Sequence, residues 1–106
     1  MAWIYLGIAG LMEIVWAFTM KQSDGFSRLI PSLITLAAMV VSIVLLGLAM
    51  KSLPLGTAYT VWTGIGAVGS FVLGIMLLGE PVTPLRIGAA VLIVSGLVLM
   101  KLSTPA

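Results

Sequence analysis

Residues 9–17 read AGLMEIVWA, and Glu13 at their centre is the only charged side chain between residues 2 and 20. The apolar sequence on either side is long enough for a membrane-spanning helix, in which Glu13 would lie near the bilayer midplane. A charged carboxylate at that depth costs about 3 kcal/mol on insertion scales. The segment therefore predicts a membrane helix whose acid is neutralised either by a proton or by a bound cation.

The composition of the whole chain fits a membrane protein and excludes an ordinary soluble domain. The chain has 106 residues, of which 61% are hydrophobic and 8% are charged, and its mean hydropathy is +1.29. Soluble domains carry about 25% charged residues. The sequence therefore lacks the polar side chains that would cover a water-facing surface.

The few polar residues also exclude several classes of function. The five basic residues form no patch, so nucleic acid is not expected as a partner. The chain has neither Cys nor His and only three acids, so we expect no metal site and no cofactor. It contains no recognisable nucleophile–base pair or phosphate-binding loop, and Glu80 beside a proline is interpreted as a solvated turn residue. The sequence does not predict an enzyme.

Hydropathy divides the chain into four candidate membrane spans, at about residues 2–20, 29–50, 58–78 and 85–102. The fourth is long enough only if Lys101 extends to the membrane interface. The segments between the spans combine Gly or Pro with charged residues, which is typical of turns between antiparallel helices. The first span lacks a preceding basic segment, so we interpret it as a retained helix rather than a signal peptide. The predicted fold is all-α, with one four-helix transmembrane domain over residues 1–106.

The charges at the helix ends give almost no preference for one orientation in the membrane. With four spans, the side that holds both termini carries Lys51 and Lys101, and the opposite side carries Lys21, Arg28 and Arg86. A bias of two basic residues against three is very weak. The chain either inserts in one weakly determined orientation or inserts both ways and pairs antiparallel.

Small residues mark the helix faces that are expected to approach each other closely. Gly64 and Gly66 in the third span allow such packing, and because glycine weakens a helix they also predict a hinge there. Packing alone is the alternative explanation for both glycines. Ala89 and Gly96 share a face of the fourth span, which is predicted to dock on a second copy of the chain.

The residues that share a helical face with Glu13 predict a binding site. Gly10 leaves space beside the carboxylate, and Trp16 supplies an aromatic wall with an N–H donor. Ser42 lies at a similar depth in the second span, and its hydroxyl could donate to the carboxylate. The alternatives are an acid that only cross-links helices and a serine that bonds to its own helix.

Aromatic and flexible apolar residues extend the predicted site. Tyr59 and Trp62 are three residues apart on one face of the third span. They either bound the pocket or belong to the aromatic belt at the membrane interface, and the deeper position of Trp62 favours the pocket. Met39, one turn before Ser42, is predicted to line the same face.

An acid, hydroxyl and indole donors and aromatic faces in a dry site suit a small organic cation. The carboxylate neutralises the cation and the rings attract it, and a planar guanidinium fits best because its N–H groups can meet a carboxylate in pairs. Each chain supplies one Glu13, so a site with two carboxylates requires two chains. Protons and the cation would then compete for one site, which is the minimum needed for exchange.

The sequence resembles the small multidrug resistance family essentially from end to end. The resemblance lies in AGLMEIVWA at residues 9–17, in GFSR at residues 25–28, and in LPLGTAYTVWTGIG at residues 53–66. Within the family, Trp16 and Ser42, together with Lys101, resemble the guanidinium-exporter subtype. The role of Lys101 in that subtype is not indicated by its position.

The resemblance implies an antiparallel homodimer with dual topology in the bacterial inner membrane, exchanging protons for cations across that membrane. It implies that Glu13 is the shared ligand of protons and substrate. It further implies that Ser42, Trp16 and the Gly10 backbone orient this carboxylate, and that Tyr59 and Trp62 bound the pocket. Ile43 would join Met39 in an aliphatic lining that admits hydrophobic substituents.

The sequence thus predicts a proton-coupled exporter of guanidinium-type cations, with three alternatives left open. A multidrug exporter of quaternary ammonium and other lipophilic cations uses the same scaffold. A non-transporting helper subunit would use Glu13 only as a cross-link between helices. A channel would conduct down a gradient without proton antiport.

Overall fold

The computed structural model describes residues 1–104, which form four long helices. They are α1 (Ala2–Gln22), α2 (Leu29–Ala49), α3 (Leu55–Leu78) and α4 (Pro84–Ser103). All four helices are long and apolar enough to cross a membrane. With 20 to 24 residues each, they extend about 30–36 Å, which matches the hydrocarbon thickness. The prediction of an all-α chain with four potential membrane spans is confirmed.

The largest difference from the predicted helix ends is at the start of α3. This helix begins at Leu55, three residues before the predicted start, because Pro54 lies at its N-cap with φ −59° and ψ 150°. Proline is restricted to such a φ and is well suited to a helix start. The segment that looks like a turn in the sequence is therefore already the first turn of α3.

The start of α4 is fixed by a capping interaction. Thr83 is the N-cap residue, and its hydroxyl accepts a hydrogen bond of 3.1 Å from the backbone N–H of Arg86. Pro84 follows in the first turn, where its missing N–H is not needed.

The subunit is a thin layer of helices rather than a closed bundle. Its Cα atoms extend over 42 × 34 × 16 Å. Helix α1 lies between α2 and α3 and packs on both, and α4 packs its backbone against α3 alone within the described chain. The shortest of these dimensions is less than half of either of the other two. The buried apolar cluster is correspondingly confined to one region, where α1, α2 and α3 meet.

Glycines allow α3 to approach its neighbours closely. A Cβ added to Gly66 would collide with the Glu13 side chain of α1, and one added to Gly69 would collide with Ile14. On the α4 side, a Cβ at Gly64 would collide with Leu97. The packing role that the sequence indicated for Gly64 and Gly66 is thus visible. Helix α3 runs without interruption from Leu55 to Leu78, and the hinge stays a prediction.

Helix α4 has no buried residue within the described chain. Ala89 and Gly96 are both exposed on it, and no atom of residues 1–104 would lie within 4 Å of a Cβ added to Gly96. The predicted contact of these two residues with a second copy remains a prediction.

Candidate functional site

Glu13 lies where α1 crosses α3. Its carboxylate lies against the backbone at Gly66, a position that only glycine leaves open, since a Cβ there would stand 2.8 Å from Cγ of Glu13 and closer still to the carboxylate. The Oε1 atom is shielded from solvent and has no hydrogen-bond partner among the residues described. A buried polar atom without a partner is costly. This oxygen is therefore free to accept a hydrogen bond from a ligand, or a proton.

Trp16 places a second unpartnered polar atom on the same face of α1. It lies three residues after Glu13, and its Nε1 is likewise shielded without a hydrogen-bond partner in the part of the chain that the structure describes. A buried acceptor and a buried donor thus follow each other along one helical face. Both groups are able to bind a polar ligand without first breaking another hydrogen bond.

Ser42 connects three helices through its hydroxyl group. It is completely buried, donates to the backbone oxygen of Ala9 at 2.7 Å, and accepts from Nε1 of Trp62 at 2.9 Å. A hydroxyl has one proton to donate. The predicted hydrogen bond from Ser42 to Glu13 is therefore not formed in this structure, and the alternative of a bond to its own helix is not formed either. Ser42 instead fixes α2 and α3 against α1 one turn before Glu13.

The two aromatic residues of α3 differ in their surroundings. Trp62 is only 9% exposed and belongs to the buried cluster between α1, α2 and α3, which places it in the helix packing rather than in a belt at the interface. Tyr59 is 53% exposed, and its ring lies 5.5 Å from that of Trp62 at an angle of 51°. Tyr59 also lines an apolar cavity of about 500 Å³ between α3 and α4, together with Gly96.

The remaining predicted site residues lie on α1 and α2. Gly10 is buried where α1 meets α3, and a Cβ added to it would stand 2.6 Å from the side chain of Ile65. Met39 is half-buried on α2, and Ile43 is 52% exposed.

Lys101 joins the end of α4 to the start of α1. Its ammonium group lies over the ring of Trp3, 4.9 Å from the ring centroid, which is a cation–π contact. Trp3 precedes Glu13 by ten residues, or about 15 Å along the helix axis. Lys101 thus contacts the first turn of α1 and lies remote from the carboxylate.

The structure reveals polar contacts that the sequence analysis missed. Thr19 and Thr35 share a hydrogen bond of 2.7 Å between α1 and α2, near the end of the membrane span. Glu80, interpreted as a solvated turn residue, lies in the connection between α3 and α4 and is 40% exposed, and it also forms an ion pair with Arg86 that the sequence analysis did not predict. The charge pattern around Pro81 could have indicated the ion pair, whereas no pattern within one helix indicates the threonine pair.

These features define a helical membrane protein whose first helix carries an acid with one shielded oxygen that has no partner among the described residues. The family model described as Small Multidrug Resistance protein matches residues 1–93. A protein from Escherichia coli (strain K12) named guanidinium exporter is 61% identical over 104 residues, which cover 98% of this chain and 99% of the relative. Relatives with the same name from Citrobacter freundii and Salmonella typhimurium are each 59% identical over 104 residues, again covering 98% of this chain and 99% of the relative.

The chain therefore belongs to the small multidrug resistance family, as its resemblance to that family predicted. The family and the four long apolar helices make it a multi-pass protein of the bacterial inner membrane. The relatives are named as exporters, which is a transport role rather than an enzymatic one.

Proposed function

We propose that this protein is a proton-coupled antiporter that exports guanidinium and small substituted guanidinium cations. The observation that carries the proposal is the buried Oε1 of Glu13, which has no partner among residues 1–104 although it lies within a membrane helix. A carboxylate in that position has to bind a proton or a cation. The name of relatives about 60% identical supports guanidinium as the cation.

Guanidinium is favoured by the groups that accompany the carboxylate. A planar guanidinium presents pairs of N–H donors that match a carboxylate, and aromatic faces attract its charge. Trp16 lies one turn after Glu13, and Trp62 one turn before the glycine that contacts the carboxylate. In the proposed site both indoles would bound a flat cation, while the exposed Tyr59 would close the pocket from the side.

Two subunits would contribute to one transport site. A thin subunit with an unburied α4 leaves apolar surface that a second copy would cover. An antiparallel pair agrees with the weak charge bias across the membrane, and it would bring the two Glu13 carboxylates into a common cavity. In such a dimer the outward-open and inward-open forms are the same structure with the subunits exchanged, so neither direction is favoured by the protein itself.

The shared acids couple the two transport steps. When both carboxylates are protonated the cation has no counter-charge, and binding of one cation releases two protons. Two protons enter for each monovalent cation that leaves, so one net charge moves inward in each cycle. The membrane potential then drives export with about 2.3 kcal/mol per 100 mV.

The proposal is tested with purified protein in liposomes that contain a pH-sensitive dye. An outward guanidinium gradient is expected to drive proton movement in the opposite direction, and a proton gradient is expected to concentrate guanidinium. Protein-free liposomes are the control. Guanidinium transport without proton movement would contradict antiport, and unitary currents down the gradient would instead identify a channel.

The same liposomes distinguish guanidinium export from multidrug export. Tetraphenylphosphonium, tetramethylammonium and phenylguanidinium are compared with guanidinium at equal concentrations. We expect proton-coupled transport of guanidinium and of the small substituted guanidinium ion, with little transport of tetraphenylphosphonium. Strong transport of tetraphenylphosphonium with no guanidinium-coupled proton flux would overturn the substrate class and favour the multidrug alternative.

A further inference from the structure

The connection between α3 and α4 holds a guanidinium group that belongs to the chain itself. Nη2 of Arg86 lies 3.8 Å from Oε1 of Glu80, and the two side chains are 41% and 40% exposed. The guanidinium carbon of Arg86 also lies 5.4 Å from the centroid of the Phe71 ring. A carboxylate and an aromatic face thus contact one guanidinium, which is the combination of groups expected to recognise this cation.

The backbone around the helix connection fixes the position of the carboxylate. Gly79 ends α3 in the left-handed conformation, with φ 67°, and the N–H of Glu80 then donates to the backbone oxygen of Gly74 at 3.0 Å. The Glu80 side chain folds back over Gly74, where an added Cβ would stand 2.8 Å from the carboxyl carbon and closer still to Oε1. The acid is therefore directed onto α3 while its side chain remains partly exposed to water.

The ion pair borders a cavity between α1 and α3. This cavity has a volume of about 290 Å³, and its lining includes Ala17, Lys21 and Ser70 together with Glu80 and Arg86. Ala17 lies one turn after Glu13 on α1, and Ser70 lies one turn after Gly66 on α3. The cavity therefore continues along the same interface between α1 and α3 that holds the Glu13 carboxylate, toward the membrane face that carries Lys21.

We propose that Glu80 and Phe71 form a second, peripheral binding site for guanidinium cations, which Arg86 occupies until a substrate cation displaces it. The site would receive or release cations on their way between Glu13 and one face of the membrane. The inference rests on the proposed function for its role in transport, whereas the existence of the site is testable without any transport.

The geometry of the ion pair permits this exchange. A separation of 3.8 Å is too long for a hydrogen bond, and pairs with such exposure bind weakly. Breaking the ion pair therefore costs little free energy when the Arg86 side chain turns into water. A small free guanidinium can approach the carboxylate more closely. Lys21 lines the same cavity, and its positive charge opposes long retention of a cation, which suits a site that passes its ligand on.

The first test measures how the apparent KM for guanidinium in liposomes changes when either charge is removed. Glu80→Gln is expected to raise KM by up to about five-fold, which is the range of an exposed ion pair. Arg86→Gln removes the internal competitor and is expected to lower KM by a similar factor. A purely structural ion pair would instead change both variants in the same direction.

A double variant separates specific binding from the general effect of charge. If Arg86 is a competitor for Glu80, Glu80→Gln/Arg86→Gln behaves like Glu80→Gln, because the competitor has nothing left to compete for. If only local net charge matters, the two changes cancel and the double variant returns to the wild-type KM. Asp24→Asn and Arg28→Gln are the matched controls, since they remove the same charges from the other connection predicted on the same membrane side.

The second test detects the site directly and does not depend on transport. In ¹⁵N-labelled protein, the Nε signal of Arg86 is expected to shift on titration with guanidinium chloride, both in the wild type and in Glu13→Gln. The shift is expected to disappear in Glu80→Gln, and an equal concentration of sodium chloride is expected to cause much less of it. Equal shifts with both salts would overturn the proposal, even if guanidinium transport through Glu13 were established.

Discussion

Helices α1 to α3 and helix α4 differ in how much of their surface is buried within the described chain. The first three share a buried apolar cluster and the Ser42 hydroxyl, which bonds to α1 and α3 at once. Helix α4 is equally apolar in composition, but within the described chain it buries no residue and packs its backbone only against α3. The contrast shows that an apolar sequence alone does not determine whether a helix is buried within its own chain.

The candidate site lies among the packed helices α1 to α3, where two buried polar atoms have no partner among the described residues. The hydrogen-bonding groups of Ser42 and Trp62 are paired in the core, whereas an oxygen of Glu13 and the indole nitrogen of Trp16 are buried and unpaired among residues 1–104. A well-packed region that leaves two polar atoms without partners can bind a ligand through those atoms. Function is therefore expected to be most sensitive to changes in α1 and α3, and assembly to changes in α4.

The largest effect is expected from Glu13→Gln. This variant keeps the shape of the side chain but can neither carry charge nor release a proton, so coupled guanidinium transport is expected to fall to the level of protein-free liposomes. Glu13→Asp is the control, because it keeps the charge and is expected to retain measurable transport. Normal coupled transport by folded Glu13→Gln protein would show that Glu13 is a structural acid and not the shared ligand of protons and substrate. No transport by the wild-type protein itself would favour the helper-subunit alternative.

The next largest effect is expected from Gly66→Ala. The added Cβ would collide with the Glu13 carboxylate, and overpacking of this kind costs about 1–3 kcal/mol, or about 5- to 150-fold in guanidinium affinity if the carboxylate has to move. Gly47→Ala is the matched control, since no atom of the described residues would lie within 4 Å of its Cβ. Unchanged guanidinium binding by Gly66→Ala would show that the contact with α3 does not fix the carboxylate.

Gly96→Leu tests whether a second copy of the chain packs against α4. Because nothing in the described chain lies near a Cβ at this position, the isolated subunit should tolerate leucine, whereas a close helix contact between subunits should not. We expect the dimer dissociation constant in detergent to rise at least about ten-fold, corresponding to about 1.4 kcal/mol.

The matched control for this substitution is Gly88→Leu on α4. Gly88 has the same open surroundings in the described chain, but lies about 80° away around the helix, so its substitution is expected to leave the dimer intact. Equal loss of dimer in both variants would place the interface elsewhere on α4. Loss in neither would remove the predicted role of Gly96 altogether.

Ser42→Ala is expected to have a moderate effect on stability. The substitution leaves the indole N–H of Trp62 without its acceptor, and an unmade buried hydrogen bond costs about 1–2 kcal/mol. Trp62→Phe removes the donor instead, and the two substitutions together should destabilise the protein by less than the sum of the single effects. Unfolding of the four proteins in mixed micelles measures this coupling, and strict additivity would mean that the hydroxyl does not connect α2 to α3.

The smallest effect is expected from Thr19→Val. It removes the hydrogen bond of 2.7 Å to Thr35, and hydrogen bonds between membrane helices contribute about 0.6 kcal/mol on average. The same unfolding measurement should therefore detect a loss smaller than that of Ser42→Ala. A larger loss of stability than in Ser42→Ala would show that the Thr19–Thr35 hydrogen bond contributes more to helix packing than the hydrogen bonds of Ser42.

Much of the fold follows from the sequence because hydropathy and helical periodicity are local properties. The lengths of the apolar segments indicate four helices, and a period of 3.6 residues places Gly10 and Trp16 on the face of Glu13. The start of α3 was misplaced because Pro54 and Gly56 resemble a turn. In the structure Pro54 caps the helix and Gly56 lies within its first turn.

Contacts between different helices were harder to predict, because they depend on how each helix is rotated about its axis. The depth of Ser42 was informative, but its hydroxyl bonds to Ala9 rather than to the acid one turn away. For the same reason the sequence did not indicate that the Glu80 side chain would fold back over Gly74. Periodicity relates residues of one helix and leaves the pairing of faces between helices undetermined.

The absence of buried residues on α4 in the described chain has a consequence for how the sequence can vary. Each position on this helix is constrained only by lipid, by side chains of α3 or the start of α1, or by a molecule outside the chain. In a library that samples every amino acid along α4, positions facing lipid should accept most apolar residues. Narrow tolerance at positions that touch nothing within the subunit would therefore trace the footprint of the partner, residue by residue.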